Sequence, residues 1–234
     1  MKNWMKAVFS IAAMITVPGC TGYGVTFESA PGTELSNCHP ALVGDWRIIE
    51  GERNAPLTDT SEFLSVNADC SNIFSVTIKN KPGKLETKVD DLKNNKDHLI
   101  KFSSAGDRDY VVVTPKETSF EISPDIKLPS GKIIYLINPG KDGVILRTVD
   151  LDKTAQLVLK RKISGQMYFD LDNPETGQKT SNIYVRGDAK QIAGYLGTLD
   201  LYSDDRLLLV PTSPAEVKQI RKAIRNFHQD KKSK

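Results

Sequence analysis

Hydrophobic and polar residues alternate over short runs through most of the chain, which is the pattern of half-buried β-strands. Clusters of Gly, Pro, Asn and Asp separate the runs, and these are the residues that tight turns require. The predicted strands are Val43–Ile49, Ile73–Ile78, Leu99–Phe102, Tyr110–Thr114, Thr118–Ile122, Ile133–Ile137, Val144–Val149, Gln156–Lys160, Gln166–Leu171 and Asn182–Val185. Short strands at this spacing predict a mainly β protein, built as an antiparallel β-barrel or sandwich.

Two short helices are predicted late in the chain, where the apolar spacing changes to three and four residues. Asp188 can cap the first helix. The second has Ser213 as its N-cap, Pro214 as its first residue and Glu216 to complete a capping box. Its apolar stripe consists of Val217, Ile220, Ile224 and Phe227. We expect this stripe to dock on the protein's own domain, and the alternative is that the helix lies on anionic headgroups or on a partner protein.

The N-terminus has a short apolar run between two lysines and a cysteine. Residues 7–17 have the length of a signal peptide core and fall short of the roughly 20 residues of a spanning helix. The run ends in Val17-Pro18-Gly19-Cys20, which resembles the lipobox of bacterial lipoproteins. The resemblance implies cleavage before Cys20 and a lipid on its sulfur. Since Thr21 is not the aspartate of inner-membrane retention, it further implies an outer-membrane lipoprotein with its domain facing the periplasm.

Four regions follow from this resemblance and from the charge distribution. They are a signal peptide at residues 1–19, a lipidated N-terminus and tether at 20–40, a β-rich domain at 41–211, and a basic amphipathic helix and tail at 212–234. The formal charge of +3 becomes +1 when the two lysines of the signal peptide are removed. From Pro214 onward the charge is +5, so the preceding body carries −4. With 7% aromatic residues and no basic patch in the body, nucleic acid is not expected as a partner.

The chain contains three cysteines, of which lipid attachment would occupy Cys20. An oxidising compartment would allow Cys38 and Cys70 to form a disulfide, whose loop would contribute about 3–4 kcal/mol of stability. The alternative is a metal site that uses Cys38 and the neighbouring His39, although the spacing provides no evident third ligand. The sequence therefore favours the disulfide, and no metal site is predicted.

Sequence motifs for catalysis are missing. The chain has no nucleophile elbow, zinc-protease motif, phosphate-binding loop or dinucleotide fingerprint. Asp170, Asp172 and Glu175 could hold calcium, but Asp-Asn-Pro-Glu-Thr-Gly is also an ordinary hairpin turn. No catalytic residue and no cofactor is predicted.

Gly44 and Trp46 open the first predicted strand in the sequence Leu-Val-Gly-Asp-Trp. This Gly-x-Trp resembles the signature of the lipocalin-like (calycin) family. The resemblance implies a β-barrel in which the glycine permits a tight entry and the tryptophan closes one end. The residues alone also fit a simple core aromatic on a first strand.

These observations predict a lipid-anchored, non-catalytic binding protein. Its target would be an apolar ligand inside a barrel or an envelope protein at an edge or loop surface. A structural or assembly component of an envelope complex is the alternative, and a hydrolase acting on cell wall or lipid ranks third.

Overall fold

A computed structural model describes residues 24–50, 60–81, 84–95, 97–116, 119–123, 126–169 and 181–232 of this chain. Cys20 and the loop with Asp170, Asp172 and Glu175 lie outside the described residues. The part that is described is mainly β, and antiparallel pairing dominates. The predicted fold class is therefore confirmed.

The described elements are fifteen β-strands, three α-helices and a short 3-10 helix at Pro40–Leu42. The strands are β1 (Gly24–Phe27), β2 (Thr33–Glu34), β3 (Gly44–Glu50), β4 (Thr60–Val66), β5 (Ile73–Lys81), β6 (Lys84–Asp91), β7 (His98–Ala105), β8 (Arg108–Pro115), β9 (Ser119–Ser123), β10 (Ile126–Pro129), β11 (Ile133–Gly140), β12 (Gly143–Val149), β13 (Gly165–Phe169), β14 (Ser181–Val185) and β15 (Tyr202–Pro211). The helices are α1 (Leu151–Leu159), α2 (Ala189–Thr198) and α3 (Pro214–Lys232). Ten strands form one sheet in the order β2-β7-β8-β11-β12-β15-β3-β4-β5-β6.

The large sheet curls so that both of its halves bury one face in the same core. Leu64 of β4 and Ile73 of β5 share this cluster with Phe102 of β7 and Tyr135 of β11. Strand β15 joins the halves by pairing with β12 on one side and β3 on the other. Among the described strands no pairing joins β6 to β2 or β7, so the arrangement is sandwich-like and a closed barrel is not formed.

A second layer covers the outer face of the first half of the sheet. It contains the three-stranded sheet β1-β14-β13, in which β1 runs parallel to β14, together with α1 and α2. Phe27 of β1 and Ile192 of α2 are fully buried there, against Tyr110 and Ile134 of the large sheet. Alternate residues of β8 and β11 thus face two different cores, which explains why these strands are apolar on both sides.

Helix α3 covers the outer face of the other half. Ile220 and Ala223 are buried against Phe63 and Phe74, with Phe227 packed beside them. The Ser213 amide donates to the Glu216 carboxylate and the Glu216 amide to the Ser213 hydroxyl, so the predicted capping box is confirmed. The expectation that the apolar stripe docks on the protein's own domain is confirmed as well. None of the described helices has the length and apolar character needed to cross a membrane.

The structure differs from the sequence expectations at several elements, among them the unpredicted strands β2, β4, β6, β10 and β15. Residues 156–159, predicted as a strand, belong to α1, because the Asp150 side chain caps the Lys153 amide and starts a helix. Helix α1 is thus a third helix, and α3 is 19 residues long rather than short. Residues 24–27, expected within a tether, form β1, since Val25 and Phe27 supply apolar surface to the second core.

Candidate functional site

The Gly-x-Trp sequence begins β3 and contacts the main core through Trp46. Gly44 has a φ of +130°, a left-handed value that favours glycine, and it begins β3. Two residues later the Trp46 indole packs against the main core, and its Nε1 donates to the Leu42 carbonyl at 2.9 Å. The geometry gives Gly44 and Trp46 a structural role in starting β3. The lipocalin-like relation stays a prediction.

Cys38 and Cys70 form a disulfide, with their Cα atoms 5.6 Å apart. Both cysteines are buried at the edge of the main core. The neighbouring His39 donates from Nε2 to the Asp109 carboxylate at 3.0 Å and accepts the Ala41 amide at Nδ1. Both ring nitrogens of His39 and the sulfur of Cys38 are thus engaged with other groups, so the alternative metal site at these two residues is not formed. No group of three or more metal-ligating side chains occurs among the residues that the structure describes.

The interior of the curled sheet contains a small apolar cavity of about 60 Å³. Its walls come from Leu64 and Val66 on β4, Phe102 on β7, Tyr135 on β11 and Leu207 on β15. Burial raises the pKa of the Tyr135 phenol to about 12, as expected in apolar surroundings. Pockets that enclose drug-sized ligands measure about 300–1,000 Å³, so this interior is largely filled by its own side chains.

Helix α3 presents a cationic face to solvent. Because its apolar stripe is docked, the side chains on the opposite side of the helix point outward, and Lys218, Lys222 and Arg225 are all exposed. None of these three forms an ion pair with another residue of the described part of the chain. We call Lys218, Lys222 and Arg225 the cationic ridge.

Three ion pairs fix α3 on the body along its flanks. Arg47 of β3 contacts Glu216 at 3.3 Å, and Lys231 contacts Asp91 at 3.8 Å. Arg221 lies 3.6 Å from Asp45, but its side chain remains 72% exposed. The acidic partners therefore lie at the seam between helix and sheet and leave the cationic ridge uncompensated.

An open depression of about 460 Å³ lies along one flank of the ridge. Its described lining consists of Arg221, Ile224, Arg225, His228 and Gln229. Carbon atoms make up most of the exposed lining, which includes the half-buried Ile224. A group that entered the depression would rest mainly on carbon atoms, with the positive charges of Arg221 and Arg225 on the same stretch of helix. The helical spacing of these lining residues is visible in the sequence, but the position of the depression depends on how α3 docks on the sheet.

His98 lies at the start of β7, and its side chain is partly buried. Its Nδ1 is buried and has no hydrogen-bond partner among the described residues. Burial lowers the pKa of His98 below its ordinary 6.5, although the carboxylate of Asp97 opposes the shift. The folded protein thus binds this proton more weakly than the unfolded chain does.

We therefore expect the free energy of unfolding to fall as the pH is lowered from neutrality through 6.5, and to level off below the folded pKa. Urea unfolding of the wild type and of His98→Gln across this range measures the effect. The variant should lose the part of the pH dependence that His98 contributes. An identical pH profile for the two proteins would contradict the assignment.

Comparisons with protein-family models, with curated proteins and with solved structures find no match to this chain.

Proposed function

We propose that this chain is a lipid-anchored envelope protein that binds an acidic surface of a partner protein through α3. Cys20 carries the lipid, and the β-rich body serves as a non-catalytic interaction module. The observation that carries the proposal is the cationic ridge, which the docking of the apolar stripe turns towards solvent. The body acts as an assembly component of an envelope complex rather than as a carrier.

The size of the interior cavity supports a protein partner over an apolar ligand. A volume of about 60 Å³ accommodates a few water-sized groups, whereas an acyl chain needs several times this space. The apolar side of α3 offers no alternative ligand site, because Ile220 is fully buried against the sheet. On this side of the body, a partner can therefore contact mainly the exposed charged side chains of α3.

The distribution of that charge supports an acidic partner. Lys218 and Lys222 are four residues apart, as are Arg221 and Arg225, so like charges stand next to each other on the helix surface. Each such pair destabilises an isolated helix by a few tenths of a kcal/mol, and a pair of opposite charges at the same spacing stabilises it by about the same amount. Two adjacent like pairs therefore lower the stability of α3 in the free protein, and a bound anionic surface would relieve the repulsion.

The depression beside the ridge supports recognition of carboxylates. Arg225 has a planar guanidinium group that is unpaired among the described residues, and such a group can bind a carboxylate through two parallel hydrogen bonds. Arg221, 3.6 Å from Asp45, adds positive charge beside it, and His228 and Gln229 also line the depression. An Asp or Glu side chain projecting from a partner has both the charge and the size to enter this depression.

Photo-crosslinking in intact cells tests the proposal. A photoreactive amino acid replaces Lys222. A second version of this protein carries Lys218→Glu and Arg225→Glu in addition. We expect one defined protein adduct from position 222, which is lost on charge reversal and weakens as the salt concentration rises. Purification of the adduct should identify a partner with an acidic surface at the crosslinked site.

Lys141→Glu with Lys190→Glu is the matched control, because it makes the same change in net charge on exposed side chains outside α3. This control should leave the adduct unchanged. All four substituted side chains are exposed, so the melting temperature should stay close to that of the wild type. An adduct that survives reversal of the ridge, or that disappears equally in the control, would contradict the proposal.

A further inference from the structure

The turn that follows α1 exposes an apolar side chain in the middle of positive charge. Leu159, the last residue of α1, is 69% exposed. Lys160, Arg161 and Lys162 follow directly, and all three are exposed. Among the described residues, Leu85 on β6 is the one other large hydrophobic side chain with comparable exposure, at 50%.

The turn is held in one conformation, so its exposed leucine does not result from a loose loop. The Arg161 amide donates to the Val158 carbonyl at 2.9 Å, and the Lys162 amide donates to the Leu157 carbonyl at the same distance. Arg161 itself has a left-handed φ of +56°, an uncommon conformation for a residue with a side chain. The next residue, Ile163, is buried in the second core and fixes the end of the turn.

A fourth cation completes the surface. The Arg186 amide donates to the Ser164 carbonyl at 2.8 Å, which places this exposed arginine directly beside the turn. None of the four cations forms an ion pair with a side chain in the described part of the chain. The five residues Leu159, Lys160, Arg161, Lys162 and Arg186 are called the leucine–cation turn below.

The leucine–cation turn belongs to the same small layer as the first described strand. Gly24 of β1 pairs with Asn182 of β14, and Phe27 pairs with Val185. Val185 also pairs with Gly165, which follows the leucine–cation turn in the chain. The turn and Gly24 thus lie at opposite ends of a strand of four residues, about 10 Å long. Cys20 precedes Gly24 by four residues in the sequence.

We propose that the leucine–cation turn contacts an anionic bilayer surface and orients the body on it. The inference rests on the lipid anchor at Cys20 proposed above, because that anchor holds this layer next to the membrane. The four cations lie among the headgroups, and Leu159 reaches the boundary between headgroups and acyl chains. A short polypeptide link and a second contact site together restrict rotation of the body about its anchor.

The size of the apolar part favours a bilayer over a protein partner. A stable protein interface buries about 800 Å² on each side and has an apolar centre of several residues. One leucine surrounded by four cations lacks such a centre. It matches the interfacial combination of an apolar side chain with lysines and arginines that attract anionic headgroups.

Fluorescence quenching by brominated lipids tests the inference. The full lipidated chain carrying Leu159→Trp is reconstituted into vesicles of phosphatidylglycerol and phosphatidylethanolamine with bromine on the acyl chains. We expect the added tryptophan to lose most of its fluorescence in these vesicles and little in brominated phosphatidylcholine vesicles. Leu85→Trp is the matched control, since it places a tryptophan at the other exposed leucine, and it should not be quenched.

Charge reversal then distinguishes membrane contact by the leucine–cation turn from membrane contact by the cationic ridge on α3. Lys160→Glu with Lys162→Glu should abolish the quenching of the tryptophan at position 159, and Lys218→Glu with Lys222→Glu should leave it unchanged. Flotation of the vesicles separates the inference from the anchor. A chain that does not float with the vesicles contradicts the anchor and this inference with it. A chain that floats while the tryptophan at 159 stays unquenched contradicts the inference alone.

Discussion

Gly143→Ala is expected to lower the free energy of unfolding by about 3 kcal/mol or more, because the new Cβ has no space. Gly143 begins β12, and a Cβ at this position would lie 2.1 Å from the Leu209 carbonyl oxygen. The φ of +148° adds strain for any residue with a side chain. Leu209 lies on the central strand β15 and pairs with β12 and β3, so its backbone cannot shift without breaking both ladders.

Urea unfolding monitored by circular dichroism measures this loss. Gly106→Ala is the matched control, since Gly106 also has a positive φ, of +66°, and lies in a hairpin turn. A Cβ at Gly106 would meet nothing within 4 Å, so we expect only the conformational cost of about 1–2 kcal/mol. Equal losses in the two variants would mean that β15 yields to the new methyl group, which contradicts the close approach of β12 to it.

Removing the Cys38–Cys70 disulfide is expected to cost about 3–4 kcal/mol in the free energy of unfolding. The bond closes a loop with a sequence separation of 32, and this constrains the unfolded chain. It connects the segment before β3 to the turn after β4, beside the main core. Cys38→Ala with Cys70→Ala removes the bond without introducing a buried polar group.

Thermal and urea unfolding with and without a reductant measure the effect. Reductant should destabilise the wild type to about the level of the double variant. It should leave the double variant itself unchanged, because this protein has no disulfide left to reduce within the described residues. A wild type that is insensitive to reductant once unfolded and refolded would contradict a stabilising role for the bond.

Much of the fold could be predicted because strand patterns are local. Clear turns flank two predicted segments whose residues are apolar or alternate between apolar and polar, namely Tyr110–Thr114 and Val144–Val149. Both segments are strands in the structure. The apolar sequence Leu-Val-Leu at 157–159 also resembles a strand, and only the Asp150 cap upstream distinguishes the helix. Strand β15 was not predicted, since its apolar residues follow Asp204 and Asp205 without alternation.

The candidate surfaces were harder to predict than the fold. The amphipathic pattern of α3 indicated a docked stripe, and Ile220 is indeed fully buried. Which cations remain unpaired depends on where Asp45 and Asp91 lie in space, which no local pattern contains. The exposure of Leu159 likewise depends on how α1 packs, since Val158 one residue earlier belongs to the second core.

The position of β15 in the sheet has a consequence for the order of folding during synthesis. Strands β3 to β6 form one set of neighbours and strands β7 to β12 contribute to another, and each set is contiguous in sequence. Among the described strands of the large sheet, the two sets are connected only through β15, which follows both of them in the chain. Each set therefore has to wait with an unpaired edge until residues 202–211 arrive, and in that interval it is exposed to aggregation and proteolysis. A chaperone that covers these edges until β15 has been made would protect the nascent chain.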